Sequence, residues 1–297
     1  MKQNQLSCII PVGPGQKSNQ NLIASIKSDE RKTKFILVFD SPPVEIKEEL
    51  VELAKWHPSI TTVEVNARNP GGARNAGILK CQTEWVAFFD ADDLFDTQTL
   101  SDYLDKCLNY PDAIVFSFMA QKHSHQVERR ILEDFSGEIC EFNKLQLARY
   151  PGIWRWVFRY ESIKNYRFKD LRMGEDIIFL LEFLAVKRKI YFSALHSYIY
   201  SENSSLQLTR NHEAKQDLLQ TLNCALSVLS RQNINNANAR LSIGLASLIF
   251  YSAMAHLEWR LKLRALKVIS SFSTKSFRNL VLVYRIIISR LGMNRES

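Results

Sequence analysis

The chain is short of several things that would have settled its class quickly. Cysteine is sparse: Cys8, Cys81, Cys107, Cys140 and Cys224 are far apart, odd in number and contain no CxxC pair. That excludes a disulfide framework and a thiolate zinc site, and it reads as free, buried thiols in a reducing compartment. No apolar run nears the roughly 20 residues that cross a bilayer. The apolar stretch Leu6 to Val12 is too short for a signal-peptide core and runs straight into Gly13-Pro14. No repeat or low-complexity tract is present, and no Ser-His-Asp or Cys-His spacing points to nucleophilic catalysis. An excess of either charge is missing from most of the chain, since the first 258 residues hold 30 basic and 30 acidic side chains. A balanced body excludes the electrostatic footprint of a nucleic-acid binder. The whole formal charge of +8 sits in residues 259–297, with nine basic residues and one acid, Glu296.

What is present is an alternation of buried-strand and helix patterns. Leu6 to Val12, Phe35 to Phe39, Ile60 to Val65 and Trp85 to Phe89 are short apolar or β-branched runs. Between them lie helical spacings at Asn21 to Ser28 and Glu45 to Trp56, with Leu50, Leu53 and Ala54 on the inner face of the second. Strands buried on both faces read as continuous apolar runs, so this pattern predicts a mostly parallel, doubly wound sheet flanked by helices. Ligands of such sheets bind beyond the carboxyl ends of the strands. Two strands end there in aspartate: Asp40 after the second, and Asp90, Asp92 and Asp93 after the fourth.

Asp90 and Asp92 lie two apart, so in extended chain both can face one ligand. Paired carboxylates repel one another, and a hard divalent cation relieves the repulsion; Mg²⁺ and Mn²⁺ suit oxygen ligands and share them with substrate phosphates. The competing reading is an acidic turn that caps a helix starting near Leu94. Upstream, Gly71-Gly72 precedes a helix expected from Ala73 onward, whose N-terminus attracts anions, with Arg74 in its first turn able to pair with a phosphate.

Ile9-Ile10-Pro11-Val12, Val38-Phe39-Asp40, Gly72-Ala73-Arg74-Asn75-Ala76-Gly77 and Phe89-Asp90-Ala91-Asp92-Asp93 together resemble the family 2 glycosyltransferases, in order and spacing, over about 90 residues. Trp154-Arg155-Trp156, Phe168 and Gly174-Glu175-Asp176 resemble that family's acceptor-side segment. Two departures stand out. The family's tyrosine-asparagine after the first strand is replaced by Gly13-Pro14, and its paired aspartates after the second strand are reduced to Asp40-Ser41.

The resemblance implies a GT-A fold (Rossmann-like) and an inverting transfer from a nucleoside-diphosphate sugar, with UDP-sugar as the expected donor. It places Pro11, Asp40, Arg74, Asp90 and Asp92 on the nucleotide-sugar, Asp92 and Asp90 on Mn²⁺ or Mg²⁺, and Asp176 as the base, beside Glu175. It puts Arg155 and Trp156 on the acceptor side, and it offers His196 or His212 as a third metal ligand. His57 reads as a surface residue, and His123 and His125 as a metal pair only if the polar segment around them folds to bring them together.

From Asn211 onward the pattern is helical. Leu218, Leu219, Leu222, Ala225, Leu226 and Leu229 form one stripe, and Leu241 to Leu257 forms a second helix after a polar break. The expected division is a catalytic domain over 1–208 and a helical region over 209–297. The basic tail alternates apolar and cationic residues, as helices lying on anionic membranes do. The expected setting is therefore cytoplasmic and peripheral on the inner membrane face, with a glycan or lipid-linked acceptor in surface-polysaccharide synthesis. Two other classes stay open. One is an inactive sugar-nucleotide-binding scaffold; the other is a haloacid-dehalogenase-like phosphohydrolase, whose Asp-x-Asp should lie on the first strand rather than the fourth.

Overall fold

The computed structural model describes residues 6–30, 33–107, 111–121, 127–130, 137–138, 151–186, 188–201, 217–231 and 249. The chain divides into two compact units. The first comprises Met1–Ile139, Gly152–Asp170 and Lys189–Gln207, and the second comprises Cys140–Pro151, Leu171–Arg188 and Leu208–Ser297.

The first unit is built on one sheet. Its N-terminal half runs β1 (Leu6–Val12), α1 (Gln20–Lys27), β2 (Lys34–Asp40), α2 (Val44–Trp56), β3 (Ile60–Val65), α3 (Pro70–Ile78) and β4 (Trp85–Phe88). Neighbouring strands lie in the order β3-β2-β1-β4 and all pair in parallel. The central β1 and β4 are buried almost throughout, as their apolar runs require. The edge strand β3, which has a partner on only one side among the described residues, has no fully buried position, and Thr61, Thr62 and Glu64 are exposed.

The remaining elements of this unit are β5 (Leu94–Phe95), α4 (Thr97–Asp105), β6 (Ala113–Gln121), β7 (Val127–Arg130), β8 (Gly137–Glu138), a 3₁₀ turn over Ile153–Arg155, β9 (Trp156–Arg159), α5 (Tyr160–Ile163) and β10 (Ile190–Ser201). They extend the sheet in the order β4-β9-β6-β10-β5. Here the parallel pattern breaks, since β9 is antiparallel to both β4 and β6. The helix expected near Leu94 begins at Thr97 instead. Leu94 and Phe95 pair with Ile199 and Tyr198 of β10, and Asp96 is the cap, its carboxylate accepting the Thr99 N–H at 2.9 Å. The helix expected from Ala73 likewise starts three residues earlier, at Pro70, with Asn69 accepting the Gly72 N–H at 2.7 Å.

The described part of the second unit contains α6 (Glu175–Leu184) and α7 (Leu218–Arg231), which pack on one another. Seven of the ten residues of α6 are buried, in keeping with its apolar sequence. α7 buries Leu218, Leu222 and Ala225 of the expected stripe, and Thr221 besides, while Leu219, Leu226 and Leu229 are half-buried. The second C-terminal helix pattern, apart from Ile249, and the whole basic tail lie outside the described residues, as do His123, His125 and His212.

Candidate active site

The ends of β1, β2 and β4 adjoin at the carboxyl edge of the sheet, and the aspartate turn leaves from β4. Phe89 continues the strand by donating its N–H to the Ile9 carbonyl at 3.0 Å. The turn that follows is fixed at each residue. Arg74 Nη2 reaches Asp90 Oδ1 at 3.0 Å, and the Asp93 N–H closes on the Asp90 carbonyl at 3.3 Å. Gln16 Nε2 donates to the Ala91 carbonyl at 3.1 Å, and Asn21 Nδ2 donates to the Asp92 carbonyl at 2.9 Å.

Asp93 differs from its two neighbours. It is buried, and its carboxylate accepts the Tyr198 hydroxyl at 2.6 Å and the Ser201 N–H at 2.7 Å. The Tyr198 oxygen in turn accepts the Asp90 N–H at 3.3 Å. Burial pushes the Asp93 carboxyl well above the usual range, and the charges of Asp90 and Asp92 add to that. Burial raises the Tyr198 hydroxyl in the same way, with Asp93 next in effect. One carboxylate of the three thus anchors the turn to β10, while Asp90 and Asp92 remain half-buried.

Arg74 is 5 % exposed, and it lies 5.5 Å over the Phe168 ring as well as on Asp90. Asn75 clasps the same segment, exchanging hydrogen bonds of 2.9 and 2.8 Å with the Phe168 carbonyl and N–H. Asp40 is also buried, and its Oδ1 accepts the N–H groups of Ala67 and Arg68 at 2.8 and 3.1 Å. It thereby holds the loop that leads into α3, where Arg68 takes a positive φ of 57°. Gly77 is required by packing, because a Cβ there would lie 2.3 Å from Ile9 Cγ2. Pro11 is the one half-buried residue of β1.

The acceptor-side triplet divides differently from the expectation. Arg155 and Trp156 are 1 % and 2 % exposed, and Arg155 donates its Nε–H to the Phe116 carbonyl at 2.9 Å. Both side chains are core residues here. Trp154 is the half-buried member, and its ring lies nearly parallel to Tyr198 (centroids 4.7 Å apart) and Tyr200 (5.3 Å).

In the second unit, Gly174 precedes α6 in the left-handed region (φ 82°), and Glu175 and Asp176 form the first turn. Glu175 is buried and Asp176 half-buried, and Asp176 Oδ1 accepts the Ile177 N–H at 2.8 Å. Carboxylates at this end of a helix are stabilised by its dipole.

Among the described residues, no three His, Cys, Asp or Glu side chains assemble as a metal cage, and His196 on β10 joins none. Mg²⁺ and Mn²⁺ do not need a cage. They take one or two carboxylates and fill the octahedron with water and substrate phosphates, so Asp90 and Asp92 fit such an ion. A cavity of about 660 Å³ lies elsewhere, between α2 and the end of β3, and it is lined by Ser41, Pro42, Val44, Lys47, Val51 and Glu64 among others.

The residues that sequence reasoning passed over are the ones that hold the turn and the loop. Gln16, Asn21, Asn75 and Tyr198 act across 71 to 108 positions of chain, and no local pattern marks such contacts.

Comparison with known proteins gives a consistent result. The sequence profile of Glycosyl transferase family 2 matches residues 7–187. The poly(ribitol-phosphate) β-N-acetylglucosaminyltransferase TarS of Staphylococcus aureus is 23 % identical over 207 residues, which is 66 % of this chain and 35 % of that protein. The chain thus spans about a third of the length of the curated relatives it matches. The crystal structure of S. aureus TarS 1–349 with UDP superposes with a TM-score of 0.65 at 16 % identity, covering 94 % of this chain and 78 % of that one. The UDP-GlcNAc complex gives 0.68 at 15 % identity, covering 94 % and 79 %. At these identities the likeness establishes the fold, which is GT-A. The profile match runs from β1 to just past α6 and takes in both carboxylate segments. A match of that extent is not produced by a shared α/β sheet alone, and the chain belongs to glycosyl transferase family 2.

Proposed function

We propose that this family 2 glycosyltransferase moves a sugar from a UDP-sugar to a hydroxyl of a glycan, polyol-phosphate or lipid-linked acceptor, with inversion at the anomeric carbon. UDP-GlcNAc is the first donor to test, because the TarS structures that share the fold were solved with UDP and with UDP-GlcNAc. The observation that carries the reading is the pair Asp90 and Asp92, held rigid beyond β4 beside the ends of β1 and β2.

Each residue then has a chemical task. Asp40 and Pro11 face the nucleoside, and Arg74 fixes Asp90 beside the diphosphate. Asp92 and Asp90 would hold Mg²⁺ or Mn²⁺, which when bound neutralises charge on the departing diphosphate. Asp176, with Glu175 beside it, takes the proton from the acceptor hydroxyl as that oxygen attacks the anomeric carbon. The C1–O bond to the diphosphate breaks as the new C1–O bond forms on the opposite face, so a single displacement inverts the centre. Trp154 offers an aromatic face to the acceptor.

The domain division at residue 208 and the peripheral membrane setting belong to the same proposal. All of the net positive charge is carried by residues 259–297, and no helix among the described residues is long and apolar enough to cross a membrane. Each Lys or Arg near an anionic surface adds on the order of 1 kcal/mol.

The test is nucleotide release from UDP-, GDP- and CMP-sugars with Mg²⁺, Mn²⁺ or EDTA, for wild type and Asp92→Asn. Metal-dependent release from a UDP-sugar, lost in the variant, is the expected result. No release and no nucleotide binding would leave the scaffold reading instead.

A further inference from the structure

The segment that delivers Asp176 is held by a part of the chain outside the family match, which ends at residue 187. The start of α7 touches three consecutive residues that lead into Glu175 and Asp176. Arg172 meets the Asp217 carboxylate three times: its backbone N–H at 2.9 Å, its Nε–H at 3.1 Å and its Nη2 at 3.0 Å. A two-pronged guanidinium–carboxylate pair fixes orientation as well as distance. Met173 follows, and its carbonyl accepts the hydroxyl of Thr221 at 2.8 Å. Met173 also packs on Leu218, which is buried at the head of α7.

Gly174 comes next. Its φ of 82° lies in the left-handed region, and a Cβ there would stand 2.6 Å from Thr221 Cγ2. Glycine is therefore needed twice, for the backbone turn and for the close approach of Thr221. The Gly174 carbonyl then accepts the Ile178 N–H at 3.1 Å and starts α6. Thr221 is fully buried, so its methyl and hydroxyl have one environment. Asp217 is fixed from its own side, because its carbonyl accepts the Thr221 N–H at 2.8 Å and opens α7. The Arg172 bonds hold the Asp217 carboxyl below the usual carboxylate range, the direction expected for an ion pair that persists at neutral pH.

We infer that Arg172, Asp217 and Thr221 are positioning residues for the base, so that the helical region after the family match belongs to the catalytic apparatus. The inference rests on the reading of Asp176 as that base. Polar partners behind a reacting or ligating group change activity by roughly 10- to 100-fold when removed.

The experiment compares Asp217→Asn, Thr221→Val and Thr221→Ser with Asp176→Asn in the full chain. Two readouts are taken: hydrogen exchange of peptides covering residues 172–178, and release of nucleotide from whichever panel sugar nucleotide the wild type hydrolyses fastest, alongside the dissociation constant of that nucleotide. Asp217→Asn and Thr221→Val are expected to exchange about tenfold faster in that segment. Their turnover should fall roughly 10- to 100-fold, with nucleotide affinity within about twofold of wild type, and Thr221→Ser should restore both readouts. Unchanged exchange in Asp217→Asn and Thr221→Val would overturn the inference without reference to activity. Faster exchange with wild-type turnover, while Asp176→Asn is inactive, would also overturn it and leave the base reading intact. Wild-type turnover in Asp176→Asn would instead remove the base reading on which it rests. Equal loss of nucleotide affinity and turnover, unrescued by serine, would assign the three residues a structural role only and overturn it too.

Discussion

Tyr198→Phe isolates the bond that ties the aspartate turn to β10. The substitution keeps the ring and hence its stacking on Trp154 (4.7 Å) and its tilted contact with Phe89 (5.3 Å). It removes the hydroxyl that donates to Asp93 at 2.6 Å and accepts from the Asp90 N–H at 3.3 Å. A side-chain hydrogen bond contributes about 0.5–1.5 kcal/mol, and the long second bond about 0.5 kcal/mol. A loss of about 1–2 kcal/mol follows. For a unit of this size that lowers the melting temperature by roughly 2–8 °C. Urea unfolding followed by circular dichroism, at neutral pH, gives the free energy directly. The partner test is a cycle with Asp93→Asn, in which the pair should show a coupling of about 1 kcal/mol or more. A Tyr198→Phe variant within about 0.5 kcal/mol of wild type, or an additive cycle, would refute the assignment of Asp93 as the anchor.

The pH dependence of the same site has a definite sign. Because burial raises the folded-state value of Asp93, its stabilising contribution is complete below the unfolded value of about 3.9 and is lost as pH rises through the folded value. Urea titrations at pH 5 and pH 8 should therefore show Asp93→Asn gaining on the wild type at the higher pH. Gly77→Ala drives a methyl to 2.3 Å from Ile9 in the core and should cost about 1–3 kcal/mol, measured by thermal melting. Burial pushes the Cys81 thiol up to about 12 and raises Cys8 strongly as well. Iodoacetamide at pH 8 should therefore label half-buried Cys107 and Cys224 well before either, as read by peptide mass spectrometry. Arg74→Met should lower donor affinity by about tenfold, because Asp90 loses the cation that orients it; calorimetry with the donor sugar nucleotide checks this.

The N-terminal half of the sheet was legible because β2 and β4 are unbroken apolar runs that end at an aspartate, and β1 is apolar apart from Ser7. Phe35 to Phe39 followed by Asp40 is readable without any partner. The distal half was not, because β9 owes its place to antiparallel pairing with β4 and β6, and Trp154 to Phe158 carries nothing that names those partners. The same limit explains the triplet 154–156. Alternation marks two faces but not which one meets the core, and here Arg155 is buried through the turn that precedes β9. The aspartates were visible as a cluster. Their division into Asp93 as an anchor and Asp90 and Asp92 as the half-buried pair required Tyr198, 105 positions away.

That separation bears on how the enzyme is made. The strand that carries the turn cannot gain its second neighbour until residues 156–159 have been synthesised, and the turn cannot close on Tyr198 and Ser201 until translation has passed them. Contacts so distant in sequence form late, since loop closure precedes any gain from them. A nascent chain stalled before Tyr198 therefore carries its aspartates on an unlatched loop, with the edge of β6 that β10 will pair left exposed for chaperones to cover. If Asp90 and Asp92 hold the donor as proposed, competence to bind a sugar nucleotide arises only once β10 is in place.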